Sequence, residues 1–262
     1  MGIKTSILPS QLPSQYQHHR LIPTIHGVMA TTYLLDDSYV LKLFEHDTLT
    51  EILENEITLL SKLNSLPVPK VIDQFKINGD EVILYTQMQG ESVSQPTIQH
   101  IGEIGLFLKA FHAQSQNINI SCKERFQKVQ LKQLIDSTNN LSLIDHFHTI
   151  DLTLKSEGVI HGDLFPDNCK FETDTLSGVY DFSDVCLGDF HFDLAVVAVG
   201  WCFEKESLNK QKVHVLLEHY GSSIDSLTFT SYIKYALLYY TTTRFIAGRD
   251  YHILLKRLEN LS

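Results

Sequence analysis

The order of its predicted strands and helices most constrains how this chain can fold. Alternating apolar residues predict a first hairpin from strands at 28–35 and 39–44, and a second from strands at 71–77 and 81–87. Between the hairpins, apolar residues at helical spacing predict one helix over 49–63. The order strand, strand, helix, strand, strand predicts a small α+β lobe that ends near residue 88.

The pattern changes to helices beyond that point. Residues 89–92 read as a linker, and short strands are predicted near 158–160, at Phe171 and at 179–182. Helices are predicted over 98–112, 121–137, 141–156, 192–203, 210–219, 228–247 and 251–261. We therefore predict an N-terminal lobe, 1–88, whose residues 1–20 are poorly ordered, and a larger, mainly helical C-terminal lobe, 89–262.

Composition narrows the possible partners. The formal net charge of −10 argues against a nucleic-acid partner, which would require a basic surface. No stretch approaches the roughly 20 apolar residues of a membrane span, and the N-terminus lacks the apolar core of a secretory signal. The four cysteines form no CxxC pair, which predicts reduced thiols in a cytoplasmic protein.

Much of the negative charge is concentrated in one segment, 163–193. Lys170 is the only lysine or arginine in it, and such a density of carboxylates suggests a divalent cation. The aspartates of this segment are Asp163, Asp167, Asp174, Asp181, Asp184, Asp189 and Asp193.

Three residues of this segment have the chemistry of phosphoryl transfer. Asp163 follows a predicted strand and a glycine, so a loop can present its carboxylate to a substrate hydroxyl. Asn168 and Asp181 offer oxygen ligands that suit Mg²⁺ bound to ATP. The alternative is a solvated acidic loop, which does not explain why strand-like residues precede both Asp163 and Asp181.

A lysine in the N-terminal lobe extends this pattern. Lys42 lies within an apolar strand, where an ammonium group requires a partner. Glu56 on the following helix is the best candidate, and Glu51 and Glu54 are weaker ones. Together, Lys42 and Glu56 would hold the α- and β-phosphates of ATP. The alternative is a lysine on the solvated face of the strand.

Other nucleotide contacts have weaker support. The segment 26–32 contains a single glycine, Gly27, and is a poor match to a glycine-rich phosphate loop. Thr31 would supply a hydroxyl or a backbone N–H group to the nucleotide. At the junction of the lobes, the backbone of Gln87 and Met88 would reach the adenine.

Three sequence blocks resemble a known superfamily. They are His161-Gly162-Asp163 with Asn168, Tyr180-Asp181-Phe182, and Gly188-Asp189-Phe190-His191-Phe192-Asp193-Leu194-Ala195. In this order they resemble the aminoglycoside phosphotransferase and choline kinase superfamily, the small-molecule branch of the protein-kinase-like fold. Residues 158–168 and Trp201-Cys202-Phe203 resemble kinase-fold homoserine kinases in particular, although those usually have alanine where Gly162 stands.

The resemblance implies a bilobal, α+β, protein-kinase-like fold that uses ATP and Mg²⁺. From its position just before Asp163, His161 is expected to lie beneath the loop and orient it. Asp189 is expected to bond the loop backbone, and Asp193 to cap the helix after it. The weaker candidates for contact with the acceptor are Asp184, Arg244 and Trp201. For Arg244 the alternative is a surface ion pair, and for Trp201 it is a place in the core.

Three hypotheses follow for function. The first is a kinase that phosphorylates a hydroxyl of a small amine-bearing molecule, with homoserine as the acceptor. The second keeps this chemistry and changes the acceptor to an aminoglycoside, choline or another amino alcohol. The third is a non-catalytic, nucleotide-binding pseudokinase; the single glycine of its nucleotide segment favours it, whereas the set Lys42, Asp163, Asn168 and Asp181 argues against it.

Overall fold

The computed structural model describes residues 5–24, 30–45, 50–121 and 124–261. Its N-terminal part contains a five-stranded antiparallel sheet with the strand order β1-β2-β3-β5-β4. The strands are β1 (Leu21–Pro23), β2 (Thr31–Leu35), β3 (Tyr39–Phe44), β4 (Val71–Ile77) and β5 (Asp80–Thr86), and helix α1 (Thr50–Leu60) connects β3 to β4.

Strand β5 shows why this sheet is covered on both faces. Its residues alternate between two apolar clusters, because successive side chains of a strand point to opposite faces. Ile83 and Tyr85 belong to the cluster that includes Leu53 of α1. Val82 and Leu84 belong to a second cluster on the opposite face.

The second cluster is completed by the N-terminal segment. Ile7 and Leu12 are buried there against residues of β2, β3 and β5. The expectation of poor order over 1–20 is therefore wrong for its described part, 5–20. Strand β1 was also not predicted; it pairs with β2 and forms one edge of the sheet.

The C-terminal part is mainly helical, as predicted. Its helices are α2 (Ile98–Ser115), α3 (Lys128–Thr138), α4 (Leu141–Thr149), α5 (Phe190–Trp201), α6 (Lys210–Tyr220), α7 (Ser226–Ile246) and α8 (His252–Asn260). Its antiparallel strand pairs are β6 (Gly158–Ile160) with β9 (Cys186–Gly188), β7 (Cys169–Glu172) with β8 (Thr175–Val179), and β10 (Phe203–Glu204) with β11 (Ser207–Leu208).

Helix α5 lies in the middle of this part. Most of its residues are buried and apolar, as expected for a helix that other elements surround. It begins at Phe190, two residues before its predicted start, because Asp189 accepts hydrogen bonds from the backbone N–H groups of His191 and Phe192. Helix α3 begins at Lys128. The predicted helix over 121–137 is therefore wrong for residues 124–127.

The chain crosses between the two parts immediately after β5. The backbone N–H of Gln87 donates to the carbonyl of Ser38, and Glu91 pairs with Phe171 of β7 through two hydrogen bonds of 2.9 Å. This crossing places one end of the sheet against the β7–β8 hairpin. The two parts meet where the Nζ atom of Lys42 in β3 lies 3.0 Å from Asp181, and the space around this contact is the cleft. The boundary at residue 88 stays a prediction.

Two findings concern the expected surroundings of the protein. In the described ranges, no helix combines the length and apolar character needed to span a membrane. Cys169, Cys186 and Cys202 are buried. A cytoplasmic location stays a prediction.

Replacing Leu12 by alanine tests the packing of the N-terminal segment. We expect Leu12→Ala to lower the free energy of unfolding by about 2–4 kcal/mol, because it removes buried methyl groups and leaves a cavity. Leu8→Ala is the control: Leu8 is 63% exposed, so a change within about 0.5 kcal/mol is expected. Urea unfolding measures both, and equal losses would contradict the packing.

Candidate active site

One buried carboxylate fixes the start of the loop 161–168. Asp193 accepts hydrogen bonds of 2.9 Å from the backbone N–H groups of His161 and Gly162, one on each oxygen. The Nε2 atom of His112 lies 3.0 Å from the same carboxylate. Burial opposes ionisation of Asp193, but these hydrogen bonds and the histidines beside it lower its pKa below the ordinary value. Asp193 is therefore a charged anchor inside the core.

Two side chains from the helices hold the loop carbonyl groups. The hydroxyl of Tyr240 donates to the carbonyl of Gly162, and the indole N–H of Trp201 donates to that of Leu164 at 2.8 Å. Trp201 is buried, so its predicted contact with an acceptor is wrong. Its large ring belongs in the core because its single N–H donor finds a partner there.

His161 is buried beneath the loop, as predicted. Its Nδ1 atom accepts a hydrogen bond of 3.3 Å from the backbone N–H of Asp163. Burial lowers the pKa of the imidazole, which keeps it neutral and able to accept this bond.

The roles predicted for Asp189 and Asp193 are exchanged. Asp189 caps helix α5 and also accepts from the backbone N–H of Lys155 and the hydroxyl of Tyr232. Asp193, predicted as the cap, bonds the loop backbone. The reason is the earlier start of α5, which puts Asp189 at the capping position and turns Asp193 towards the loop.

Asp163 has the most perturbed carboxyl group of the loop. Burial, followed by the negative charges of Asp184, Asp181 and Asp167, raises its pKa to about 8. A hydrogen bond of 3.1 Å from the Nδ2 atom of Asn168 opposes this rise and orients the carboxyl group. Asp163 is thus poised to exchange a proton near neutral pH.

The carboxyl group of Asp181 is held in its ionised form by a lysine from the sheet. The Nζ atom of Lys42 lies 3.0 Å from Asp181 and 3.7 Å from Glu56. Burial raises the pKa of Asp181, but the charge of Lys42, together with the hydrogen bonds from Lys42 and Ser183, brings the pKa below its ordinary value. Asp181 adopts φ of +66°, in the left-handed region, which is uncommon for aspartate and is often found at functional sites.

The predicted metal ligands have oxygens that suit a cation. The amide nitrogen of Asn168 bonds Asp163, and no described residue donates to its amide oxygen. The carboxylate of Asp181 receives Lys42 and the hydroxyl of Ser183 on one oxygen only. Amide and carboxylate oxygens are the hard ligands that Mg²⁺ prefers, so this donor set fits Mg²⁺.

The predicted nucleotide contacts in the N-terminal part differ in their outcomes. Gly27 lies outside the described residues. Thr31 is buried, and its hydroxyl donates to Glu45 at 2.6 Å and accepts from the backbone N–H of Thr5 at 3.1 Å. That hydroxyl is therefore engaged by protein groups, whereas the alternative, a contact through the backbone N–H of Thr31, stays a prediction. Gln87 and Met88 lie at the crossing between the two parts.

Two candidates for acceptor binding lie in different places. Arg244 is exposed, donates to the carbonyl of Asp250 and has Arg257 as a charged neighbour, so it belongs to the surface near α8. Asp184 lies beside Asp163 and forms an ion pair with Arg125. Arg125 was not among the predicted site residues; it falls within the helix predicted over 121–137, whereas α3 begins at Lys128.

The fold has a small sheet above a mainly helical part, and the site has Lys42, Asp181 and Asp163 in the cleft. Together they define a protein-kinase-like phosphotransferase. The model of the phosphotransferase enzyme family, APH, matches residues 21–222. The chain belongs to this family.

Curated relatives cover both parts of the chain. A homoserine kinase of Bartonella tribocorum is 29% identical in an alignment of 219 residues that covers 74% of this chain and 69% of the relative. A homoserine kinase of Bartonella henselae is 27% identical in an alignment of 251 residues that covers 84% of this chain and 79% of the relative.

Solved structures share the fold. The GDP complex of an aminoglycoside 2'-phosphotransferase has a TM-score of 0.71 at 16% identity and covers 96% of this chain and 95% of its own. A choline/ethanolamine kinase family protein from Mesorhizobium loti has a TM-score of 0.67 at 12% identity, with 95% and 88% covered.

The raised pKa of Asp163 predicts a pH-dependent cost to stability. Between the ordinary pKa and about 8, the folded chain binds a proton that the unfolded chain has lost, so this cost grows as the pH rises. We expect the stability of wild type relative to Asp163→Asn to fall by about 3–4 kcal/mol between about pH 5 and about pH 8. Urea unfolding in EDTA without nucleotide measures it; parallel pH profiles would contradict the shift.

Proposed function

We propose that this protein transfers the γ-phosphate of ATP to the hydroxyl group of homoserine. The observation that carries the proposal is the pairing of two differently ionised carboxyl groups in one cleft, Asp163 with a raised pKa and Asp181 bound to Lys42. The homoserine kinases among its relatives support the choice of acceptor, since they match 69% and 79% of their own length.

Asp163 would act on the acceptor. A group with a pKa near the working pH is suited to take the hydroxyl proton as the oxygen attacks the phosphorus. The hydrogen bond from Asn168 directs the carboxyl group, and the anchored backbone of His161 and Gly162 keeps the loop from moving away. Positioning of this kind contributes much of the catalysis in phosphoryl transfer.

The other residues would hold the nucleotide. Asn168 and Asp181 would bind Mg²⁺, which neutralises phosphate charge during the transfer. Lys42 would donate to phosphate oxygens, with Glu56 holding its ammonium group in the cleft. Burial alone would lower the pKa of Lys42, but Asp181 and Glu56 raise it, so the ammonium stays charged. The backbone of Gln87 and Met88 remains our candidate for adenine.

Replacing Asp163 tests the chemical step. We expect Asp163→Asn to lower kcat by about 10²–10⁴-fold, because the variant cannot take the hydroxyl proton. Binding of Mg·ATP, measured by calorimetry, should persist. The control is Asp136→Asn, in an exposed ion pair on α3.

Turnover measured by ADP release with homoserine, choline and an aminoglycoside separates the hypotheses, and wild-type ATP binding without turnover of any acceptor would favour the pseudokinase.

Replacing Lys42 tests the nucleotide site. We expect Lys42→Met to lower kcat/KM for ATP by about 10–100-fold, since a hydrogen bond from a charged donor is worth about 1.5–3 kcal/mol. The KM for homoserine should change little. Lys76→Met is a matched control, because it breaks an exposed pair with Glu81 in the same sheet. An unchanged kcat/KM for ATP in Lys42→Met would contradict the role of Lys42.

A further inference from the structure

An ion pair between Arg125 and Asp184 lies next to the loop that carries Asp163. The Nη1 atom of Arg125 is 2.5 Å from the Oδ1 atom of Asp184, and the two side chains are 38% and 34% exposed. After burial, the charge of Asp184 is the largest cause of the raised pKa of Asp163. The carbonyl of Asp184 also lies against Gly162, 3.2 Å from where a Cβ atom there would stand. The pair is therefore accessible at the place where an acceptor must approach.

The backbone next to Arg125 and the backbone at Asp184 both belong to ordered parts of the fold. Phe126, next to Arg125, is buried. The centroid of its ring lies 4.7 Å from that of Phe192 and 4.8 Å from that of Tyr239. The carbonyl of Phe126 accepts a hydrogen bond of 2.6 Å from the hydroxyl of Tyr235. Asp184 ends the short helical turn Phe182–Asp184, which directly follows Asp181. Both charges thus have defined positions relative to Asp163.

Gly162 couples this segment to the loop. It has φ of +74°, in the left-handed region that favours glycine, and a Cβ atom there would come within 2.9 Å of the ring of Phe126. The absence of that atom lets the segment of Arg125 pack directly on the loop of Asp163.

Towards the described residues, the pair uses only part of its hydrogen-bonding capacity. Of the five N–H donors of the Arg125 guanidinium, the contact with Asp184 uses Nη1 only, and it uses one oxygen of Asp184. The remaining fork of a guanidinium can bind a carboxylate through two parallel hydrogen bonds. A partly exposed ion pair contributes little to stability, so stability alone does not account for its position.

We infer that Arg125 and Asp184 bind the two charges of an α-amino acid acceptor, the guanidinium taking the α-carboxylate and the carboxylate taking the α-ammonium group. This inference rests on the proposed function and names the residues that select the acceptor. The acceptor hydroxyl, at the end of the side chain, then faces Asp163. An amino alcohol or an aminoglycoside has no carboxylate, so the remaining N–H donors of the Arg125 guanidinium receive no acceptor from it.

Three acceptors separate the two charges. Homoserine has both, 3-aminopropan-1-ol keeps the hydroxyl and the ammonium group, and 4-hydroxybutanoate keeps the hydroxyl and the carboxylate. We expect Arg125→Gln to lower kcat/KM about 10–100-fold for homoserine and 4-hydroxybutanoate, with less than about a 3-fold change for 3-aminopropan-1-ol. Where turnover of an analogue is slow, its inhibition constant against homoserine replaces kcat/KM.

The second variant should show the opposite selectivity. We expect Asp184→Asn to lower kcat/KM about 10–100-fold for homoserine and 3-aminopropan-1-ol, and to spare 4-hydroxybutanoate. The control is Lys132→Gln, which breaks an exposed ion pair with Asp136 on α3, at 2.6 Å, and should affect no acceptor.

The outcomes distinguish the inference from the proposed function. Equal losses for all three acceptors in both variants would assign the pair a structural role and overturn the inference, while turnover of homoserine by wild type would uphold the function. If wild type phosphorylates choline or an aminoglycoside and not homoserine, the proposed function is overturned and the inference with it.

Discussion

The carboxylate of Asp193 accepts hydrogen bonds from two consecutive backbone N–H groups, and the position of Asp163 depends on them. A buried charge is costly unless it is fully bonded, and the loss of one partner costs about 3–5 kcal/mol. The loop therefore cannot leave α5 without leaving a buried charge unpaired. His112 of α2 completes the arrangement, so the loop, α2 and α5 are held together at one point.

The two carboxyl groups of the cleft acquire different chemistry from their surroundings. Asp163 is buried among other acidic groups, which raises its pKa, whereas Asp181 faces Lys42, which lowers its pKa. A pair of titratable groups whose environments separate their pKa values is a recurrent basis for acid and base roles. Because Lys42 comes from the sheet and Asp181 from the helical part, this difference in pKa depends on the contact between the two parts.

The sequence predicted the order of the elements well, because apolar periodicity is a local property of the chain. It also selected Asp163, Asn168, Asp181, Lys42 and Glu56, which the structure brings together in pairs. It failed where tertiary packing decides. The predicted start of α5 lies two residues too late, and this error exchanged the predicted roles of Asp189 and Asp193. The sequence did not single out Arg125, because no local signal shows that α3 begins only at Lys128. The N-terminal segment looked polar, since Ile7 and Leu12 have no local apolar pattern.

The phosphorus NMR spectrum of a reaction containing the protein, Mg²⁺, ATP and homoserine tests the central claim most directly. The account predicts that the γ-phosphate signal of ATP is replaced by a phosphomonoester signal, split by the methylene protons next to the acceptor oxygen, as ADP accumulates. The same mixture with Asp163→Asn should show no such signal over the same time. Release of inorganic phosphate alone, or an equal phosphomonoester signal from the variant, would contradict the account.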